Sequence, residues 1–265
     1  MLSKEVAMVP QQHYPEQYHE ESEAPFTFLW VPGRAHTAEH MQPAVEATIA
    51  MGHRAVAVEL PRAEDKPTLN DYKEVIAAAA HDYSDVVYVD WSRAEHFVSH
   101  AVTLLPREQL VAKIGYCTGG AYGVVLGEPY DSWQDRHTDA LEGCFLDMGN
   151  GTENPIGDMI AKKMYPRIKD SAALRRAIEL LVPVQLLNED LKQAPSKVEG
   201  LACFTFLAAH DEIINNERAA AVAQLSGAEV DWLPTGHVAH LEETAYLVRK
   251  VIAKARIARG RLASE

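Results

Sequence analysis

Asp85-Val86-Val87-Tyr88-Val89-Asp90-Trp91-Ser92-Arg93-Ala94-Glu95 runs from a short apolar stretch, past a serine, into a helical pattern. The β-branched and aromatic run Val86 to Val89 is what a strand buried on both faces looks like. From Ala94 to Leu105, residues Phe97, Val98, Ala101, Val102 and Leu105 recur at helical spacing. A serine on a tight strand-to-helix turn has its hydroxyl pushed out at the carboxyl edge of the sheet, where it can serve as a nucleophile. The usual Gly-x-Ser-x-Gly frame is altered here, because Asp90 and Ala94 stand at the glycine positions. A serine that only caps the following helix is the competing reading.

Outward from this stretch, strand and helix patterns alternate. Phe26 to Val31 reads as the first strand, closed by Pro32-Gly33, and a helix follows from Thr37 to Met51. Arg54 to Leu60 is a second strand, Asp71 to His81 a helix, and Gln109 to Tyr116 the strand after the serine corner. After Gly200 the pattern resumes with strand Leu201 to Ala208, helix Asn216 to Leu225, strand Glu229 to Leu233 and a last helix from Glu242 to about Ala258. This alternation predicts an α/β fold with a doubly wound, mostly parallel sheet and right-handed crossovers. Between about 124 and 200 it breaks into charged helical segments, Ile156 to Met164 and Ser171 to Leu181, which reads as a cap over a pocket, with an ordinary helical excursion as the competing reading. Residues 1–24 read as a solvated arm and 25–265 as one domain.

The chain has 265 residues and a formal net charge of −13, which argues against a nucleic-acid or anionic-membrane surface. It shows no apolar run long enough to span a membrane and no signal-peptide core, so a cytoplasmic location is expected. Cys117, Cys144 and Cys203 give neither a disulfide framework nor zinc-site spacing and read as free thiols.

A serine hydroxyl needs a base to take its proton, and the base needs an acid to hold its tautomer. On a doubly wound sheet these groups belong on loops at the carboxyl ends of strands. The strand ending at Ala208 is followed by Ala209-His210-Asp211-Glu212, and the strand ending at Leu233 by Pro234-Thr235-Gly236-His237-Val238-Ala239-His240. The order Ser92, Asp211, His237 is therefore that of nucleophile, acid and base on successive strand ends. Asp211 could instead cap its turn. Glu212 is a rival acid and His240 a rival base, while His210 is expected to pack under the loop.

The chain resembles the α/β-hydrolases, within them the short esterase and hydroxynitrile-lyase-like branch that includes plant salicylate-binding methylesterases. The resemblance lies in Phe26-Thr27-Phe28-Leu29-Trp30-Val31-Pro32-Gly33-Arg34, in Gly52 to Pro61, in Met164-Tyr165-Pro166 and in Pro234-Thr235-Gly236-His237. It implies a small-molecule ester, lactone or thioester as substrate, an acyl-enzyme on Ser92, and an oxyanion hole built from the N–H groups of Arg34 and Arg93. It implies no metal and no organic cofactor, and leaves a homodimer open. The chain departs from the family where His-Gly is replaced by Pro32-Gly33 and where the elbow carries Asp90 and Ala94. Asp90 is expected near the nucleophile, and Arg34 and Arg93 either line the pocket or pair with Asp90 and Glu95.

Gly115-Tyr116-Cys117-Thr118-Gly119-Gly120 resembles the cysteine elbow of dienelactone hydrolases and makes Cys117 the alternative nucleophile. With Cys117 in that role, however, the Val86 strand becomes an extra one, since only two strands precede the nucleophile strand in the methylesterase-like branch. A lyase using Ser92 and His237 without an acyl intermediate, and a non-catalytic ligand binder, are the other functions this pattern admits.

Overall fold

A computed structural model describes residues 24–33, 36–62, 65, 67–118, 164–181 and 198–264. Six strands form one parallel sheet: β1 (Thr27–Val31), β2 (Arg54–Ala57), β3 (Val86–Trp91), β4 (Leu110–Tyr116), β5 (Ala202–Ala208) and β6 (Glu229–Leu233). Their order is β2-β1-β3-β4-β5-β6, with every neighbouring pair parallel. Among the described residues the helices are α1 (Ala38–Ala50), α2 (Leu69–Ala78), α3 (Ala94–Ala101), α4 (Ser171–Glu179), α5 (Asn216–Ser226), α6 (Ala239–Glu242) and α7 (Thr244–Leu262).

Alternation along each strand sorts the apolar side chains into two layers. Phe28, Trp30, Val87, Val89, Trp91, Ile114, Tyr116, Phe204 and Phe206 pack with Met41 and Val45 of α1 and Leu247, Val248 and Val251 of α7. Leu29, Val31, Val86 and Tyr88 point the other way, onto Leu69, Tyr72 and Ile76 of α2 and Phe97 and Val98 of α3. Burial on both faces is why these strands read as unbroken apolar runs. The C-terminal helix is fastened to the start of the sheet by Arg259. Its guanidinium lies 3.5 Å over the Phe26 ring and donates to Ala24 O at 2.6 Å and Asp85 Oδ1 at 3.0 Å.

The winding reverses after β2: the chain passes back across β1 to form β3 and then continues outward to β6. In open α/β sheets such a switch point, here between β1 and β3, opens the crevice where ligands bind. Gly33 and Ser92 flank it.

Several boundaries differ from the sequence pattern. β2 stops at Ala57 because its partner β1 turns away at Pro32-Gly33, leaving Val58 N–H on Trp30 O as a last 2.9 Å bond. The helix of the opening stretch ends at Ala101 and tightens into a 3₁₀ turn over Val102–Leu104. The last helix is preceded by the one-turn α6. The arm at 1–23, most of the expected cap including 156–163, and Cys144 lie outside the described residues.

Candidate active site

Ser92 sits between β3 and α3 with φ of +55°, a left-handed conformation that a side-chain-bearing residue adopts only when its surroundings enforce it. Its N–H donates to Tyr116 O at 3.1 Å, which holds the corner against the end of β4. A Cβ on Gly33 would lie 2.9 Å from Trp91 Cε3 and 3.0 Å from Ser92 Cβ, so glycine is what lets the β1 loop approach the corner. Arg93 is the N-cap of α3, so its backbone lies at the positive end of the helix dipole. Arg34 lies outside the described residues.

Asp211 and His237 come together from the ends of β5 and β6. His237 Nδ1 is 2.9 Å from Asp211 Oδ2, and both side chains are almost wholly buried. The N–H groups of Ile213 and Ile214 donate to Asp211 Oδ1 at 2.8 and 2.9 Å. Burial alone would raise this carboxyl; His237 and the two backbone donors outweigh it and hold Asp211 below the usual carboxylate range. An ionised Asp211 accepts the Nδ1 proton, which leaves Nε2 of His237 with a free lone pair. Asp211 also closes the turn after β5, so the two roles weighed for it coexist. Among the described residues no hydrogen bond joins the Ser92 hydroxyl to His237.

The histidine loop is held from two sides. Trp91 Nε1 donates to His237 O at 2.8 Å, and the Gly236 N–H donates to Glu242 Oε2 at 2.7 Å. Arg167 pairs with the same Glu242 oxygen at 3.3 Å.

Solved structures share this fold. Polyneuridine aldehyde esterase matches with a TM-score of 0.66 at 18% identity, over 87% of this chain and 99% of that one. Tomato methylketone synthase I, solved with 2-tridecanone, matches at 0.67 and 17%, over 89% and 100%. A Paenibacillus extracellular α/β-hydrolase, described as sharing structural and functional homology with tobacco salicylic acid binding protein 2, matches at 0.62 and 12%, over 87% and 99%. The chain has the α/β-hydrolase fold. No protein-family model and no curated protein sequence matches it.

The Ser92 corner follows β3, the third strand in chain order, where the opening stretch predicts a strand running into a helix. The rivals separate cleanly. Glu212 and His210 are exposed, so His210 does not pack under the loop as expected; the turn after Ala208 carries it outward. His240 is fully buried, 4.4 Å from the Trp91 ring, and neither ring nitrogen has a hydrogen-bond partner among the described residues. Burial, reinforced by nearby His40 and His237, holds its pKa well below the ordinary histidine value.

Cys117 ends β4 with φ of +52°, a second corner beside the first. It is 1% exposed and its thiol donates to Gly236 O at 3.7 Å. Burial first, and the neighbouring Asp211 carboxylate second, push the thiol well above its ordinary pKa. An activated cysteine needs the opposite shift.

Asp90 does not reach toward His237. Alternation turns it to the α3 face, where Lys113 Nζ lies 3.7 Å from Asp90 Oδ2 and 3.7 Å from Glu95 Oε1. Lys113 is thus a cation set between these carboxylates, the Arg93 guanidinium lies 5.8 Å over Phe97, and Arg34 lies outside the described residues. Burial raises Asp90 to about 6, with Lys113 opposing the shift. The available signal was a lysine inside the apolar run Leu110-Val111-Ala112-Lys113-Ile114.

The described part of the expected cap is tied to α1 and the loop before it by the Arg176–Glu39 ion pair and by two histidine contacts. His36 Nε2 is hydrogen-bonded to Tyr165 Oη at 2.5 Å. His40 Nδ1 accepts the Thr37 N–H at 3.0 Å, so Nε2 carries the proton it donates to Ala177 O at 2.9 Å.

Proposed function

We propose that the protein is a serine hydrolase that cleaves a small-molecule carboxylic ester, lactone or thioester. The observation that carries this reading is the Asp211–His237 pair at 2.9 Å beside a left-handed serine corner at the sheet's switch point. Ser92 attacks the substrate carbonyl while Nε2 of His237 takes its proton, and Asp211 stabilises the imidazolium that forms. The N–H groups of Arg34 and Arg93 receive the oxyanion, each such donor contributing about 3 kcal/mol of transition-state stabilisation. The leaving group departs with the proton from His237, and water, deprotonated by the same ring, then releases the acid from Ser92. Residues 124–200 serve as the cap that sets substrate choice. Methylketone synthase I is solved with 2-tridecanone and, as a variant, with β-ketoheptanoate, small molecules that both carry an alkyl chain, which supports a substrate with an alkyl group here.

The test is labelling with a fluorophosphonate probe, followed by peptide mapping and turnover of short-chain p-nitrophenyl esters. The reading expects an adduct on Ser92 that is lost in His237→Ala, with turnover lost in Ser92→Ala. An adduct on Cys117, or ester turnover that survives Ser92→Ala, defeats it.

A further inference from the structure

Cys117 takes no part in the proposed mechanism, yet it stands against the acid–base pair. Its Sγ, a carboxylate oxygen of Asp211 and a ring nitrogen of His237 all lie within 4.8 Å of one another. The three residues come from the ends of the adjacent strands β4, β5 and β6, so the fold itself brings them together. We propose that Cys117, Asp211 and His237 form a binding site for a borderline-soft divalent cation, zinc above all, and that its occupation switches the active site off.

The donor set is the first argument. A thiolate, an imidazole nitrogen and a carboxylate oxygen suit zinc or cadmium and discriminate against magnesium and calcium, which take oxygen ligands. Spacing is the second. A tetrahedral zinc site places its donors about 3.3–3.6 Å apart. The Asp211–His237 pair, now at 2.9 Å, opens by about half an ångström, and the Cys117 sulfur, in a cluster whose donors lie within 4.8 Å of one another, closes to bonding distance by side-chain rotation. Charge is the third. Thiolate and carboxylate together neutralise a dication in surroundings where Cys117 is 1% and His237 2% exposed.

The thiol is protonated beside Asp211, and a dication reverses that balance. On binding, Cys117 releases its proton to solvent and its sulfur lone pair goes to the metal. His237 shifts its proton from Nδ1 to Nε2 by exchange with solvent and supplies the Nδ1 lone pair, and Asp211 exchanges its hydrogen bond for a metal bond. The base and its orienting acid are then both engaged, and the fourth position is left to solvent. The inhibitory consequence rests on the proposed hydrolase; the binding itself does not.

The experiment uses the full chain with Cys144→Ser and Cys203→Ser, which leaves Cys117 as the sole thiol, and reads the ultraviolet thiolate-to-cadmium charge-transfer band. A saturable band at one cadmium per chain is expected, competed away by zinc and untouched by magnesium. The band should vanish in Cys117→Ala, and affinity should fall at least tenfold in Asp211→Asn and in His237→Gln. Circular dichroism checks that each variant is folded, and the two ligand variants keep the test decisive should Cys117→Ala unfold. A missing band, or one whose affinity ignores both Asp211→Asn and His237→Gln, overturns the site. In the activity arm zinc should inhibit ester turnover with the same concentration dependence as it displaces cadmium. A normal band in a protein without esterase activity keeps the metal site and defeats the hydrolase reading instead.

Discussion

Replacing Lys113 with methionine removes the ammonium that lies 3.7 Å from both Asp90 and Glu95 while keeping a side chain of similar length. Asp90 is fully buried, Glu95 is 2% exposed, and neither oxygen of Asp90 has a hydrogen-bond partner among the described residues. Breaking a buried ion pair by deleting one partner destabilises a protein by about 3–5 kcal/mol, because the charge left behind stays desolvated. For a chain of this size that lowers the melting temperature on the order of 10 °C. The loss should depend on pH in a definite direction. Asp90 titrates near 6 in the folded state against an ordinary value of 3.8, so the native state binds the extra proton. Stability attached to this group therefore falls as pH rises from about 4 through 6, and losing Lys113 extends that window upward. Urea unfolding of Lys113→Met and the parent at pH 8 and pH 5 should show a deficit that shrinks on acidification. The neutral triple variant Asp90→Asn, Glu95→Gln, Lys113→Met should recover most of it. A deficit under about 1 kcal/mol, or one equal at both pH values, would refute the reasoning, since it would mean that water reaches the carboxylates.

Gly33→Ala sets a methyl 2.9 Å from the buried Trp91 ring and 3.0 Å from Ser92 Cβ; it should lower stability by about 1–3 kcal/mol through overpacking and kcat/KM by about a hundredfold through the displaced corner, read from denaturant melts and ester turnover. Asp211→Asn should lower kcat by about 10³–10⁴-fold with a modest change in KM, because an amide no longer fixes the His237 tautomer. His240→Phe removes two buried ring nitrogens that lack partners among the described residues and should stabilise the protein at neutral pH by about 1–3 kcal/mol. In the parent, His240 stays neutral in the fold while the unfolded chain takes up a proton near pH 6.5, so stability drops as pH falls below that value. Denaturant melts between pH 7 and 5 should show a shallower acid loss in His240→Phe, and equal slopes would count against the assignment.

The central strands were legible because β1, β3, β4 and most of β5 are buried along their length and so appear as apolar runs bounded by turn residues. The order of Ser92, Asp211 and His237 along the chain carried the site, since each follows a strand end. What was illegible depends on contacts between distant segments. His237 and His240 sit three residues apart on one stretch, and only the Trp91 and Glu242 bonds to the loop decide which ring meets Asp211. Asp90 looked like a charge beside the nucleophile because its partner, Lys113, lies on the next strand. The Gly115 to Gly120 motif has the pattern of an elbow, and Cys117 does adopt the elbow's backbone angle. Its protonated, buried thiol separates local shape from chemistry.

The indole of Trp91 links the residue before the serine to the loop that carries the histidine. One stiff side chain therefore acts as the spacer between two segments 146 residues apart in sequence. Any change that displaces the indole acts on the Ser92 corner and on the His237 loop together. That makes position 91 a poor place for libraries aimed at new substrates, because a smaller ring there would loosen both partners at once.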